Sequence, residues 1–189
     1  MCALGRTKRK GTIPMRENNV RNLVQAALLA ALCYVCTAAI QIPSPMNGYV
    51  NLGDCFVLLS GWMLGPVWGF FAAGVGSMLA DVLTGYAHYA LGTFLIKGVM
   101  ALLAALIFPM LKKGLRYPLP ARALAGVVCE GVMVAGYFGY ACLLLGKGLA
   151  AAASIPGNLI QGIFGVITAT AVATLLSKTK LLQKTAASH

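Results

Sequence analysis

Three stretches of this chain, Asn22 to Gly53, Cys55 to Ala80 and Gly148 to Ser177, contain no Asp, Glu, Lys or Arg. Each exceeds the roughly 20 residues that a helix needs to cross the hydrocarbon core of a bilayer. Runs of this length exclude an ordinary soluble domain, because too little polar surface is left to cover the apolar mass. The composition agrees: 10% of the residues are charged and 59% hydrophobic, with a mean hydropathy of +0.81. An integral membrane protein is predicted, so the placement of the few charges becomes the informative feature.

Breaking the apolar sequence at Pro43-Ser44-Pro45, Gly65-Pro66, Gly85-Tyr86, Tyr117-Pro118 and Ser154-Ile155-Pro156 predicts six spans, near 23–42, 52–65, 66–84, 90–111, 121–145 and 157–177. The expected organisation is a basic tail over 1–22, an all-α six-helix membrane domain over 23–177 and a second tail over 178–189. With six spans, thirteen of the fifteen cationic residues fall on one side: Arg6, Lys8, Arg9, Lys10, Arg16 and Arg21, then Lys112, Lys113, Arg116 and Arg122, then Lys178, Lys180 and Lys184. The other side receives Lys147, and Lys97 lies within a span. Because positive residues are retained on the cytoplasmic face, both termini are expected inside, in a prokaryotic cytoplasmic membrane.

Contact with anionic lipid headgroups accounts for the net charge of +11 without nucleic acid. The basic N-terminus followed by an apolar run imitates a secretory signal, but further spans follow and no cleavage is expected. Cys33 and Cys36 form a C-x-x-C inside a predicted helix, with no second pair and no nearby histidine. Zinc needs about four ligands, so these thiols are read as small packing side chains and no metal is expected.

Ionisable groups at membrane depth are costly, roughly 2.5 kcal/mol or more at a helix centre, and they face the bundle interior. Asp54, Asp81, Lys97 and Glu130 are the groups in question. Asp54 opens the second span, where it serves either as a helix cap or as a ligand contact. Asp81 and Lys97 suit a structural ion pair between neighbouring helices. Glu130 falls near the midplane on one face with Val134, Tyr137 and Ala141, and either lines a pocket or pairs with Lys97. Asn158 and Gln161, three apart, share a helical face, where they bridge helices or bind a polar heterocycle. Small residues form a further pattern: Ala26, Ala27, Ala30 and Ala31 make two overlapping A-x-x-x-A pairs, and Gly61, Gly65, Gly69 and Ala73 recur every four residues. Such spacing permits close helix contact; internal packing suits the glycines, and docking of another membrane subunit is the alternative for the alanines.

The runs Gly48-Tyr49-Val50-Asn51-Leu52-Gly53-Asp54, Leu64-Gly65-Pro66, Gly76-Ser77-Met78-Leu79-Ala80-Asp81 with Gly85-Tyr86, and Thr93-Phe94-Leu95-Ile96-Lys97-Gly98 together resemble the substrate-binding S component of energy-coupling factor (ECF) vitamin transporters, over residues 24 to 177. The resemblance implies a subunit that captures a vitamin or precursor from outside and works with a transmembrane T component and two cytoplasmic ATPases. It implies that Ala27 and Ala31, or Ala26 and Ala30, dock the T component, and that the loop from Pro43 to Gly53 gates the pocket. Asn51, Thr93, Lys97, Glu130, Tyr137, Asn158 and Gln161 are the implied substrate contacts, with Asp54 and Asp81 as scaffold.

The chain has no G-x-x-x-x-G-K-[ST] phosphate loop, so it is not expected to be an enzyme or to hydrolyse ATP itself. No cofactor is expected. A pocket with one acid, one base and two amides suits a pyridoxine-like or hydroxymethylpyrimidine-like ligand, with pantothenate or a queuosine precursor close behind. Riboflavin fits less well, because the expected pocket offers few aromatics to stack on its ring system. The competing class is a self-standing carrier or channel using Asp81, Lys97 and Glu130 as a proton relay.

Overall fold

The computed structural model describes residues 15–44 and 48–178. In chain order these form α1 (Met15–Ala39), a two-stranded antiparallel hairpin of β1 (Gln41–Ser44) and β2 (Gly48–Asn51), α2 (Asp54–Leu83), α3 (Ala90–Gly114), α4 (Pro118–Gly139) and α5 (Ile155–Lys178). A π-helical turn at Tyr140–Leu144 and a 3-10 segment at Gly148–Ser154 join α4 to α5. Among the described residues, five helices are long and apolar enough to cross a membrane.

α2 is not a straight rod. Gly65 leaves helical geometry with φ 76° and ψ −173°, a conformation open to glycine and strained for other residues, and Pro66 follows it. A Cβ placed on Gly69 would lie 2.8 Å from the Ser60 carbonyl oxygen and 3.0 Å from Gly61 Cα. Residues eight apart in a continuous helix are separated by about 12 Å, so the chain doubles back at Gly65. The contacts with α3 agree with this reversal. Asp54 meets Lys97 and Gly61 meets Ala101, so the first arm runs parallel to α3; Gly98 meets Phe70 and Gly74 meets Phe94, so the second runs antiparallel. The expected spans 52–65 and 66–84 are thus the two arms of α2, and the glycine series Gly61, Gly65 and Gly69 serves their close approach.

The first arm, 54–64, is only about 16 Å long. It therefore cannot reach across a bilayer, and the hairpin occupies the level above it. Hairpin backbone is tolerated at membrane depth only where protein covers it, and here β2 contacts α5 and α1.

Apolar side chains such as Leu28, Val67, Phe71, Leu91, Val127, Ile163 and Ile167 point outward, while Asp54, Ser60, Lys97 and Gln161 are buried. This reverses the soluble arrangement and is what an apolar solvent requires. α1 begins at Met15, inside the segment expected to be a tail, although its apolar part starts at Asn19. Arg6, Lys8, Arg9, Lys10, Lys180 and Lys184 lie outside the described residues.

Candidate functional site

The site is anchored on a buried polar network. Asp54, at the first turn of α2, is completely buried and forms an ion pair with Lys97 of α3 through Oδ1. Its second oxygen accepts a 2.6 Å hydrogen bond from Gln161 Nε2 of α5. Gln161 Oε1 in turn accepts from the Asn51 backbone N–H of β2 at 2.8 Å. Three helices and the hairpin are therefore tied at one level. The entry into α2 is equally tight: Asn51 Oδ1 accepts from the Gly53 N–H at 2.9 Å, and a Cβ on Gly53 would fall 2.0 Å from Thr37 Oγ1.

Next to this network is a cavity of about 540 Å³, counting its open mouth. Its walls come from α1 (Thr37), β2 (Tyr49, Asn51), the second arm of α2 (Ser77, Asp81), α3 (Thr93, Lys97), α4 (Tyr137) and α5 with its preceding turn (Ser154, Asn158, Gln161), and Tyr89 at the start of α3 completes them. Tyr49 donates a 2.5 Å hydrogen bond to Asp81 Oδ1, and burial, with the Asp81 charge, pushes its phenol well above the usual range and keeps it a donor. Asp81 Oδ2 is buried with no hydrogen-bond partner among the described residues. Tyr137 donates to Thr93 Oγ1 at 3.1 Å, and Lys147 Nζ reaches the Tyr89 hydroxyl at 3.2 Å at the rim. Tyr89 also packs against Tyr137 and Tyr140, and Tyr49 against Tyr86.

The structure brings six of the seven expected contacts together: Asn51, Thr93, Lys97, Tyr137, Asn158 and Gln161 all line the cavity. Glu130 does not. Its side chain lies against Gly162 and Gly165, next to Asp54, and neither carboxylate oxygen has a hydrogen-bond partner among the described residues. The ion pair also differs from both expected pairings. Lys97 pairs with Asp54 rather than with Asp81 or Glu130, because the reversal at Gly65 sets the first arm of α2 alongside α3 in parallel.

Asp81, expected as scaffold, is a wall residue, and Thr37, Tyr49, Ser77, Tyr89 and Ser154 were not anticipated. Part of this was legible: Ser77 and Asp81, like Thr93 and Lys97, are four apart and share a helical face. Tyr49 and Tyr89 enter from a loop strand and a helix start, where periodicity says nothing. They correct the expectation of a pocket poor in aromatics.

The two alanine pairs separate cleanly. Ala26 packs against the second cluster of core residues with Leu64 and Ala72, and Ala30 abuts Gly76, whose Cβ would lie 2.4 Å from the Ala30 carbonyl oxygen. That pair takes part in the α1–α2 contact, with Ala26 buried and Ala30 half-buried. Ala27 and Ala31 are exposed.

Comparison with known proteins adds a family to this geometry. The family model described as the S component of the ECF-type riboflavin transporter matches residues 17–178. A relative from Pyrococcus woesei, itself described as uncharacterized, is 38% identical over 146 residues, covering 76% of this chain and 93% of its own. The thiamine precursor transporter HmpT of Lactococcus lactis subsp. cremoris (strain MG1363) is 26% identical over 170 residues, covering 89% and 95%. The solved structure of the S component of a bacterial ECF transporter superposes with a TM-score of 0.63 at 22% identity, covering 86% of this chain and 99% of that one. That last likeness concerns the fold.

Proposed function

Because this chain belongs to the ECF-type riboflavin transporter S-component family, we propose that it captures a small heterocyclic vitamin or precursor, first of all a hydroxymethylpyrimidine-like or pyridoxine-like molecule, for uptake by partner subunits. The observation that carries the ligand reading is the juxtaposition of Asp81 and Asn158 in one tyrosine-walled cavity. An exocyclic amine donates to a carboxylate such as Asp81 and a ring nitrogen accepts from an amide such as Asn158, while tyrosine faces cover the flat ring. The relationship to a thiamine precursor transporter supports the same choice.

A specific observation also favours a second ligand. Tyr49, Tyr89 and Tyr137 supply the aromatic surface that a riboflavin ring system needs, and the matching family is described by riboflavin. Mass spectrometry of small molecules that co-purify with the protein decides between them, followed by titration of the emptied protein. A recovered pyrimidine or pyridine supports the first reading; a flavin replaces it with the second; binding of neither class overturns both.

In this reading the two arms of α2 count as separate helices, giving a six-helix bundle with both termini cytoplasmic in the cell membrane. The mouth of the cavity faces outward and the hairpin with residues 43–53 gates it. The exposed Ala27 and Ala31 form the face that meets a T component, whose two ATPase partners supply the energy. Protein reconstituted alone is expected not to accumulate solute, and sustained uptake without ATP would establish a self-standing carrier instead.

A further inference from the structure

A second cavity, of about 1600 Å³ counting its open mouth, surrounds the reversal at Gly65. It lies at the other end of the bundle: Phe108 and Lys112, which line it from α3, are about 16 to 22 Å further along that helix than Lys97. Trp62, Trp68 and Arg122 complete the part of the lining that matters here.

Arg122 is only 9% exposed, and its Nε has no hydrogen-bond partner among the described residues. Its guanidinium stands 5.1 Å from the centre of the Phe108 ring. Asp81 lines the first cavity, Asp54 is paired with Lys97, and Glu130 lies about 12 Å further along α4 against Gly162 and Gly165, so none of the three pairs with Arg122. Trp62 Nε1 is likewise buried without a partner among the described residues, which is unusual for a buried indole. Two unpartnered donors therefore belong to side chains lining one cavity, and Lys112 adds a second positive charge to its wall.

An arginine buried in a membrane protein with no counter-charge among the described side chains calls for an anion. The planar guanidinium matches a phosphate, and indoles favour the headgroup level of a bilayer. The remaining walls, including Met63, Leu64, Val67 and Ala105, are apolar and suit an acyl chain better than water. We propose that this cavity binds an anionic phospholipid, with Arg122 and Lys112 holding its phosphate and Trp62 and Trp68 flanking the glycerol and upper chains. Free phosphate shares the headgroup chemistry but would leave the apolar walls unused.

The sequence makes the test specific, because its two tryptophans both line this cavity. Full-length protein in phosphatidylcholine vesicles is titrated with dibrominated phosphatidylglycerol or dibrominated phosphatidylcholine while tryptophan fluorescence is read. Each basic contact is worth roughly fivefold, so the brominated anionic lipid should quench at an apparent concentration about tenfold lower or better. Arg122→Gln should lose about fivefold of that preference, and the double substitution with Lys112→Gln should bring the two lipids to within about twofold. Lys112→Gln, a change at an exposed position that leaves packing intact, should lose about fivefold of the preference. Equal quenching by both lipids overturns the proposal, as does a preference that survives both substitutions. Relief of quenching by millimolar inorganic phosphate at constant ionic strength overturns the lipid assignment in favour of free phosphate.

Discussion

Gln161 of α5 donates to the carboxylate of Asp54 at 2.6 Å while accepting from the Asn51 backbone N–H at 2.8 Å, so one side chain couples the hairpin to the charged base of the cavity. Neither residue of the Asp54–Lys97 pair is exposed, and Gln161 supplies the remaining partner that the carboxylate needs. This arrangement separates residues that hold the site together from residues free to meet a ligand.

Removing one side of the pair should unfold the bundle more readily than removing both. Asp54→Leu leaves the Lys97 ammonium buried without its partner, at a cost of about 3–5 kcal/mol, and Lys97→Met does the converse to Asp54. The double substitution should recover much of that loss. Thermal unfolding of the four proteins in one detergent checks this, and additive losses would show that the pair is not coupled.

Asn158 and Gln161 should behave differently although they share a helical face. Asn158→Leu removes an amide that lines the cavity and should weaken ligand binding about tenfold, with little change in melting temperature. Gln161→Leu should reduce both, because it orphans the Asn51 N–H and one oxygen of Asp54. Calorimetric titration with hydroxymethylpyrimidine and with riboflavin, beside melting curves, separates the two effects.

Glu130 should be dispensable for binding. It abuts Gly165 next to Asp54 and lies outside the cavity lining, so Glu130→Gln removes one of two crowded carboxyl groups. Affinity should remain within about twofold and the melting temperature should rise, since an unpaired buried acid costs more than an amide of the same shape. A tenfold loss of affinity would restore Glu130 to the binding site.

The outward and inward alanines should part company in uptake assays. Ala27→Trp, on the exposed face of α1, should leave binding unchanged and abolish uptake by cells supplying the partner subunits. Ala30→Leu should instead lower stability by about 1–3 kcal/mol through overpacking, because Ala30 already touches Gly76. Normal uptake by Ala27→Trp would move the docking surface elsewhere.

The close contact between Gly53 and Thr37 tests the entry to α2. Gly53→Ala places a methyl group within 2.0 Å of Thr37 Oγ1, so α1 and the entry to α2 must separate. The expected cost is about 1–3 kcal/mol in stability. Pairing it with Thr37→Ala, which removes the clashing oxygen, should return part of that loss in the same melting assay.

How much of this was readable beforehand follows from which contacts are local. The membrane class, the helix limits near Pro118 and Leu83, and the burial of Asp54, Asp81, Lys97 and Glu130 depend on apolar run length and on the price of a charge in lipid, and both are properties of the sequence. The same holds for Thr93 with Lys97 and for Asn158 with Gln161, whose three- and four-residue spacings put them on shared faces. The partner of Lys97 was not readable. It depends on Gly65 reversing the chain and on which side of α3 each arm of α2 then lies, and pairing across 43 residues has no local signature. Nor was it legible that Ala26 and Ala30 turn inward while Ala27 and Ala31 stay exposed, since all four have the same chemistry and only the packing of α2, through Leu64, Ala72 and Gly76, distinguishes them. Apolar run length determined which segments suit a bilayer; the packing of one helix against another decided which buried polar groups pair with each other and which line the cavity.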